Sequence, residues 1–557
     1  MRKKLMLILA AAACLALLFL LAFRFSAPVR KTVAPLPEIE AIWEIEDTKA
    51  LSETPLLSAL SRDGAPLPRD ASGAFYCPLG MDAGEEWPAL SLSLPPGVSA
   101  CFADDYLWDP CRDAVAQGTR YRLLVWTDDA YCYQDILFTG FPVVSLSCGK
   151  EPEEILGEDI PAELLFSAPG QTLSSHARMH RRGGASFIRG SEKRGYRVEL
   201  TRNADGTRKA KGAVPILGDV DTFILLPIVQ DETKIRERLG WELWNSLCDA
   251  DEPFGRRNVF YCEVLLNGDY RGVYLAMEPY NASAEMVRSG AGGAVYRTAV
   301  TSFLRGRAAV SHPKIPAGSY RVYAVSGNNA EAEIEPYTQL LSADDDAFRK
   351  EFAERMDLDA LVRFELFVQA CALSDNVFNN MYVCITQPEG RFRIRVAPWD
   401  LDLSFGMKPE DIGQEYENWI YYPLTDRALL LDCGDLRARL AEKWAAYRGG
   451  VFSDGNVPAL VERLAEELND SGAMARDAER WQTGQYIAEP QKILDFWPIR
   501  TAVMDETIAR IAGGDVGFLT LSQYQEKGGP TRMPDEESPN PKTNGKIGKR
   551  IRNRGRG

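Results

Sequence analysis

Short runs of alternating apolar and polar residues fill the chain between residues 41 and 137. Examples are ALSLSL at 89–94 and RYRLLVW at 120–126, and Gly, Pro and Asp residues separate the runs. Alternation with a period of two is typical of half-buried strands, and the separating residues are those that favour turns. We therefore predict a small β-rich domain over residues 41–137.

A second strand-rich region opens with FTGFPVVSLS at 138–147. One segment in it, ETKIRERLGWELWNSL, instead repeats an apolar residue every fourth position from Ile235 to Leu247, which predicts a helix. The other apolar runs predict strands: ARMHRRGGAS, YRVELT, TFILLP, NVFYCEVLLNG and YRGVYLAMEP.

The periodicity becomes helical in the second half of the chain, from about 336 to 374 and again from 425 to 515. Between these helices, MYVCIT and RFRIRVAPW predict one hairpin. A β-rich lobe with one helix is thus followed by a helical lobe with one hairpin. The pattern predicts an α+β fold, with a two-lobed domain over residues 138–515.

The N-terminus contains an apolar stretch that is long enough to cross a bilayer. Residues 5–23 carry no charge and, at about 1.5 Å per residue, nearly span a hydrocarbon core of ~30 Å. Arg2, Lys3 and Lys4 precede it, which favours an N-terminus in the cytoplasm and the rest of the chain outside. We expect residues 1–25 to be a signal anchor, or a signal peptide that is removed, and residues 26–40 to be a Pro-rich linker. The chain would then be a single-pass membrane protein with its main domain outside the cytoplasm, or a secreted protein.

Composition and charge exclude several classes of protein. The chain is 45% hydrophobic and 26% charged, which is ordinary for a globular protein and excludes collagen, coiled coil and wholesale disorder. A net charge of −15 makes nucleic acid an unfavourable partner. The last residues differ, because from Lys542 onward there are seven basic residues and no acid. We expect residues 526–557 to form a disordered basic tail.

The numbers and spacing of histidine and cysteine residues leave carboxylates as the main candidates for catalysis. Only three histidines occur, which is too few for multi-histidine zinc sites and unfavourable for most Ser-His-Asp schemes. None of the eleven cysteines has CxxC spacing. We expect mostly buried thiols with one or two disulfide bridges, since export permits bridges.

Two acidic stretches in the helical half have the order of a phosphotransferase site. In LSDNVFNNMYVCI, Asp375 precedes Asn380 with the D-x4-N spacing of a catalytic loop, where the aspartate orients and deprotonates a hydroxyl and the asparagine holds magnesium. In VAPWDLDLSFG, Asp400 ends a strand and Asp402 follows, so that both can present oxygens to a hard cation. The spacing alone is common by chance, but the ordered set of helix, loop, hairpin and acidic pair is not.

The β-rich half contains candidates for nucleotide binding. Arg182 opens the glycine-containing turn RGGAS, where backbone N–H groups can approach phosphate oxygens. Lys193 enters the strand YRVEL, as a phosphate-anchoring lysine would. Glu278 closes the strand GVYLAME as a hinge-side contact, a metal ligand or an ion-pair partner. For each residue, a solvated position at a strand end is the competing interpretation.

Six stretches between residues 140 and 510 follow one another in a recognisable order: RGGAS, EKRGYRVEL, LLPIVQDETKIR, LLNGDYRGVYLAMEPYN, SDNVFNN and APWDLDLSFG. In these stretches the chain resembles the CotH kinase family. The resemblance implies an atypical protein-kinase-like fold that uses ATP and Mg²⁺ to phosphorylate serine or threonine on secreted or coat proteins.

The resemblance also implies roles for individual residues. It makes Asp375 the catalytic aspartate, Asp400 the principal magnesium ligand and Asn380 a second ligand. Lys193 becomes the lysine that contacts phosphate. A further match, Asp231 with Arg236, is structural or lies near ATP.

The chain departs from the family pattern at two positions. Lys193-Arg194 stands where the family has two lysines, which would change the contact geometry if Arg194 held the important position. Asn379 directly precedes Asn380, so the ligand assignment can move by one residue. Residues 41–137 lie outside the resemblance and suit an added recognition domain.

Two other functions compete with the kinase interpretation. The first is a catalytically inactive surface or spore-coat assembly protein that keeps the fold for binding. The second treats Asp400 and Asp402 as a glycosidase pair. Two residues two apart on a strand face the same side, however, whereas glycosidases place their carboxylates on opposite sides of the scissile bond.

Overall fold

The computed structural model of the chain describes residues 32–519 with interruptions. The predicted membrane segment 1–25 and the predicted tail 526–557 lie outside the described residues, as does the turn after Gly183. The longer interruptions are 184–191, 281–292, 299–319, 326–336, 387–392 and 408–417, and the shorter ones are 82–83, 89, 106, 211, 213, 219, 251, 253, 338, 378–379 and 421.

The described residues contain helices and strands in mixed order. The helices are α1 Ile39–Thr48, α2 Cys111–Gln117, α3 Arg236–Leu247, α4 Asp345–Arg355, α5 Leu358–Cys371, α6 Pro423–Leu430, α7 Leu436–Arg448, α8 Asn456–Asp470, α9 Ala473–Trp481 and α10 Gln491–Ala512, with short 3₁₀ helices at Pro152–Glu154, Ser374–Val377 and Gly517–Leu519. The strands are β1 Ala50–Leu51, β2 Ser61–Arg62, β3 Ala65–Pro66, β4 Phe75–Pro78, β5 Leu92–Ser93, β6 Ser99–Phe102, β7 Arg120–Trp126, β8 Ala130–Thr139, β9 Val143–Ser147, β10 Ile160–Ala168, β11 Gln171–Arg182, β12 Gly195–Thr201, β13 Thr222–Leu226, β14 Val259–Leu266, β15 Asp269–Met277, β16 Gly293–Thr298, β17 Tyr320–Val325, β18 Met381–Thr386 and β19 Arg393–Pro398.

The chain divides into two compact units. Unit 1 comprises residues 1–281, 401–407 and 447–498, and unit 2 comprises residues 282–400, 408–446 and 499–557. The predicted α+β class is confirmed, because both units combine sheets with helices. The two-lobed kinase-like arrangement and the boundary at residue 137 stay predictions.

Unit 1 begins with a five-stranded sheet that has its own apolar core. The strands β1, β8, β7 and β6 are neighbours in that order, and β4 pairs in parallel with β8. The alternating run at 120–126 forms β7, as predicted. Its apolar residues bury themselves among those of the neighbouring strands, in a cluster that includes Phe75, Leu123 and Phe138.

A closed seven-stranded barrel follows in unit 1, in the order β10-β11-β12-β13-β15-β14-β9. Its neighbours are antiparallel except for β9 and β14, which are parallel. Leu164, Phe223 and Val264 are among the side chains that fill the interior. The runs predicted as strands all contain one, but β10 was not predicted, because Pro161, Ala162 and Glu163 dilute its apolar signal.

Unit 2 contains a four-stranded antiparallel sheet in the order β17-β16-β18-β19. Helices α4 and α5 pack against β19. The hairpin predicted between the two helical regions is confirmed as β18 and β19. The strands β16 and β17, which precede these helices in the chain, were not predicted and extend the sheet. Both added strands are six residues long and contain an arginine, Arg297 or Arg321, which weakens their apolar pattern.

Two expectations were linked to export: a membrane-spanning segment and disulfide bridges. No helix of the described residues has the length and apolar character needed to cross a membrane. The ten cysteines among the described residues are all free thiols, and nine are buried. Mostly buried thiols are therefore confirmed, whereas the expected bridges are wrong for this part of the chain. Buried thiols instead enter apolar cores or meet the backbone, as Cys132 does at Leu56 N (3.3 Å).

Candidate functional site

The site begins with a strained loop between β13 and α3. Ile228 and Lys234 have φ values of 47° and 59°, a region that a β-branched residue such as isoleucine rarely adopts. Asp231 closes the turn, because its carboxylate accepts hydrogen bonds from Thr233 N (3.1 Å) and Arg236 N (2.8 Å). This turn explains why α3 begins at Arg236 rather than at the predicted Glu232. Strained backbone of this kind persists only where the surroundings hold it, often at functional sites.

A buried ion pair joins this loop to residues 401–407. Arg236 Nη1 lies 2.6 Å from Asp231 Oδ1, and Arg236 Nε donates to the carbonyl of Ser404 at 3.0 Å. Asp231 is fully buried. These contacts are those of a structural pair, which was one of the two roles expected for Asp231 and Arg236.

Glu237, the next residue on α3, was not singled out from the sequence. Its Oε1 accepts from Trp241 Nε1 (2.8 Å) and its Oε2 accepts from Leu401 N (2.5 Å). A Cβ at Gly240 would lie 2.9 Å from Leu401 Cδ1, so the glycine gives Leu401 the space to pack against α3. Glu237 is therefore rigidly placed beside the acidic pair of the sequence.

Three carboxylates converge at this point. Ligand atoms of Glu237, Asp400 and Asp402 lie within 4.8 Å of one another. Asp400 is bonded directly to Leu401 and has a φ of 62°. Carboxylates this close repel one another unless a proton or a cation intervenes, and oxygen ligands of this kind are those that Mg²⁺ prefers. The residues therefore fit a divalent cation.

The D-x4-N loop of unit 2 is closed by its own two ends. Asn380 Nδ2 donates to Asp375 Oδ2 at 2.6 Å, and Asn380 N donates to the carbonyl of Asp375 at 3.2 Å. Both side chains are more than nine-tenths buried. Asn376 Nδ2 links the loop to the strand end by donating to the carbonyls of Asn380 (2.9 Å) and Trp399 (2.8 Å). The predicted pair Asp375 and Asn380 is thus held beside the residue that precedes Asp400. Asn379 lies outside the described residues.

Lys193 is buried against a carboxylate that the sequence did not indicate. Its Nζ donates to Asp477 Oδ1 (2.5 Å) and to the carbonyl of Val273 (2.7 Å). Burial lowers the pKa of Lys193 to about 7, although the charge of Asp477 acts in the opposite direction. Burial alone would raise the pKa of Asp477, but the charges of Lys193 and Lys234 bring it below its usual value. The structure therefore places Lys193 in an ion pair.

The other two nucleotide candidates lie at strand ends. Arg182 is the last residue of β11, where it pairs with Gly195. Glu278 follows β15, and its carboxylate is 3.5 Å from Arg257 Nη1. An ion-pair partner is one of the roles that the sequence offered for Glu278.

A comparison with known protein families identifies the family to which the chain is similar. A family model described as CotH kinase protein matches residues 179–504, which is more than half of the chain. The chain belongs to the CotH kinase family. The match begins within β11 and ends within α10, so the CotH region contains every site residue described above. A search of the curated proteins found no match to the chain.

Membership of the CotH family confirms the resemblance seen in the sequence and indicates a kinase-like function. Asp400 and Asp402 were found from local spacing, and so were Asp375 and Asn380. Glu237 and Asp477 were missed, because their partners lie far away in the chain. The only sequence signal for Glu237 was its position directly after the DETKIR segment of the CotH resemblance.

Proposed function

We propose that the chain is an exported protein kinase that transfers the γ-phosphate of ATP to serine or threonine side chains of secreted, cell-surface or spore-coat proteins. The observation that supports this most strongly is the group of Glu237, Asp400 and Asp402. Buried contacts fix its backbone through Arg236 and Leu401. A group of this kind, in a member of a kinase family, suits metal-dependent phosphoryl transfer.

In this proposal the three carboxylates hold Mg²⁺. The bound ion would neutralise the charge of the nucleotide phosphates. Asp400 is the principal ligand, and Glu237 and Asp402 complete the acidic group. Asn380 is assigned as a further ligand through its amide oxygen, because its amide nitrogen is directed at Asp375.

Asp375 is the catalytic residue of the proposed reaction. The substrate hydroxyl oxygen forms a bond to the γ-phosphorus, the bond to the ADP oxygen breaks, and Asp375 accepts the hydroxyl proton. The hydrogen bond from Asn380 Nδ2 to Asp375 Oδ2 orients the carboxylate for this step. On the nucleotide side, Arg182, Lys193 and Glu278 are the assigned residues, with Lys193 supplying positive charge.

Separate substitutions of Asp375 and Asp400 test the function. Asp400→Asn should weaken binding of Mg-ATP, measured by calorimetry with and without Mg²⁺. Asp375→Asn should leave binding nearly intact and lower autophosphorylation with labelled ATP by about 10²–10⁴-fold. Asp359→Asn is the control, because Asp359 is an exposed aspartate near the start of α5.

Two results would contradict the proposal. Equal labelling of the wild type and a folded Asp375→Asn variant would remove the catalytic role from the loop. No heat of ATP binding with or without Mg²⁺ would favour a catalytically inactive assembly protein.

A further inference from the structure

Lys234 is a second buried lysine at the carboxylate of Asp477. Its Nζ lies 3.2 Å from Asp477 Oδ2, while Lys193 Nζ lies 2.5 Å from Asp477 Oδ1. All three side chains are more than nine-tenths buried. Two lysine side chains therefore share one carboxylate. Buried charge of this kind is unfavourable unless an opposite charge balances it.

The two lysines differ in how well their hydrogen-bond donors are satisfied. Lys193 makes short contacts with Asp477 and the carbonyl of Val273, and its Nζ lies 5.0 Å from the centre of the Tyr274 ring. Among the described residues, Lys234 has only Asp477 at 3.2 Å and the carbonyl of Ile228 at 3.5 Å. An ammonium group has three N–H donors, and contacts beyond about 3.2 Å are weak hydrogen bonds. Lys234 therefore retains donor capacity for a further acceptor.

The backbone conformation at Lys234 is energetically unfavourable. Its φ of 59° is unfavourable for residues other than glycine, asparagine or aspartate. Ile228 in the same loop shares this left-handed conformation. The carbonyl of Lys234 is fixed by Tyr261 Oη at 2.8 Å. Lys234 also lies three residues before Glu237, the carboxylate of α3 that belongs to the acidic group. One short segment thus presents both a cation and a carboxylate.

We propose that Lys234 binds the phosphate groups of the nucleotide, and that Asp477 is the positioning residue that directs its ammonium group. The ligand class is a polyphosphate with bound Mg²⁺, and the inference rests on the proposed ATP-dependent function. Lys193, already assigned to the nucleotide side, pairs with the other oxygen of Asp477. Phosphate oxygens supply acceptors and negative charge for the ammonium group of Lys234.

Calorimetry on the full chain tests this assignment. The probes are Mg-ATP, Mg-tripolyphosphate and adenosine, with wild type, Lys234→Gln and Lys234→Met. Loss of a charge-assisted hydrogen bond should raise the Kd of both polyphosphates by about 10- to 100-fold and leave that of adenosine unchanged. Lys492→Gln is the matched control, because Lys492 is an exposed lysine of the same unit, 3.9 Å from Glu232.

The outcomes separate this inference from the kinase function. If wild type binds Mg-tripolyphosphate through Lys234 but transfers no phosphate, the phosphate site stands and the kinase proposal falls. If wild type binds Mg-ATP and both folded Lys234 variants bind it equally well, Lys234 is only a counter-ion of Asp477 and the inference is overturned. Absence of binding to either polyphosphate overturns both. Lys234→Met keeps the aliphatic stem and Lys234→Gln keeps a polar end, so a packing defect in one variant does not decide the result.

Discussion

Glu365 and Asp426 are two carboxyl groups buried in unit 2. Glu365 Oε1 accepts from Gln369 Nε2 at 2.8 Å, and Asp426 accepts from Trp419 Nε1 (3.0 Å) and Tyr422 N (2.8 Å). Burial raises the pKa of Glu365 to about 7. Burial, together with the nearby charge of Glu365, raises the pKa of Asp426 well above its usual value. The folded protein therefore holds these protons more tightly than the unfolded chain does.

This difference makes stability depend on pH in a definite direction. A raised pKa contributes stability that is complete below the ordinary pKa and is lost as the pH rises through the folded value. For Glu365, a rise from 4.5 to about 7 corresponds to roughly 3 kcal/mol. Between pH 5 and pH 8, the free energy of unfolding of Glu365→Gln should therefore fall less than that of wild type, as measured by urea unfolding.

The control for this prediction is Glu442→Gln, which changes an exposed glutamate on α7. Its pH dependence should follow that of wild type. Parallel curves for wild type and Glu365→Gln would contradict the assignment of the linked proton to Glu365.

At the residue scale, the site residues that could be predicted from the sequence are those that lie close to one another along the chain. Asp375 and Asn380 form one closed loop, so their relation was visible in a few residues of sequence. Glu237 and Asp402 come together where Arg236 and Glu237 bind the backbone of residues 401–404. The sequence alone does not show that these residues, far apart along the chain, come close together in the fold. The burial of Lys193 was missed for the same reason, since Asp477 comes from a distant helix.

At the scale of elements, the docking of α9 on the barrel depends on an irregularity in β15. The pairing of β14 with β15 shifts register between Val264 and Leu265, which leaves Arg271 as the extra residue of a bulge. Next to it, Gly272 has a φ of 90°. Val273 N then donates to Asp477 Oδ1 at 2.8 Å. The bulge lets a helix carboxylate reach the strand backbone.

Gly272→Ala should therefore displace α9. A Cβ at this position would lie 2.0 Å from Asp477 Oδ1, in addition to the strain of a positive φ. Loss of the buried ion pair adds about 3–5 kcal/mol to a backbone cost of about 1–2 kcal/mol. Urea unfolding should show a loss well above that of Gly170→Ala.

Gly170 is a suitable control because its φ is 66° and an added Cβ would meet nothing within 4 Å. It reports the backbone cost alone. Equal losses for Gly170→Ala and Gly272→Ala would show that α9 accommodates the methyl group.

The elements themselves were predicted unevenly. The strands β14 and β15 were predicted, but the Asn267-Gly268 turn between them was not singled out, although both residues have the positive φ that such hairpins require. The helical pattern of residues 425–515 indicated helices, but it gave no partner for α9. Partner choice depends on buried pairs such as Arg476 with Glu263, which no periodicity reveals.

At the scale of the whole molecule, the fold class followed from the order of strand and helix patterns, whereas barrel closure did not. Closure pairs β9 with β14 in parallel, across more than a hundred residues. Sequence periodicity describes single elements and carries no information on such pairings. The added strands β16 and β17 were lost for a related reason, since each is short and joins a sheet whose other strands come later.

The N-terminal segment leads to a prediction about the whole protein. Because residues 5–23 are apolar and follow three basic residues, we expect the native protein to fractionate with membranes. A variant that lacks residues 2–25 should remain in the soluble fraction, as shown by immunoblotting of both fractions. N-terminal sequencing of the native protein provides the check, since a start after residue 23 would mean that the segment is removed.

The position of α9 in the chain has a consequence for synthesis on the ribosome. All seven barrel strands have emerged once residue 277 has left the exit tunnel, yet buried Glu263 receives its ion-pair partner only from Arg476. A nascent chain that ends before this helix carries a barrel with a buried carboxylate whose cation has not been made, and breaking such a pair is strongly destabilising. Completion of the barrel therefore waits until residues 473–481 have emerged, and a shortened version of the protein should retain them.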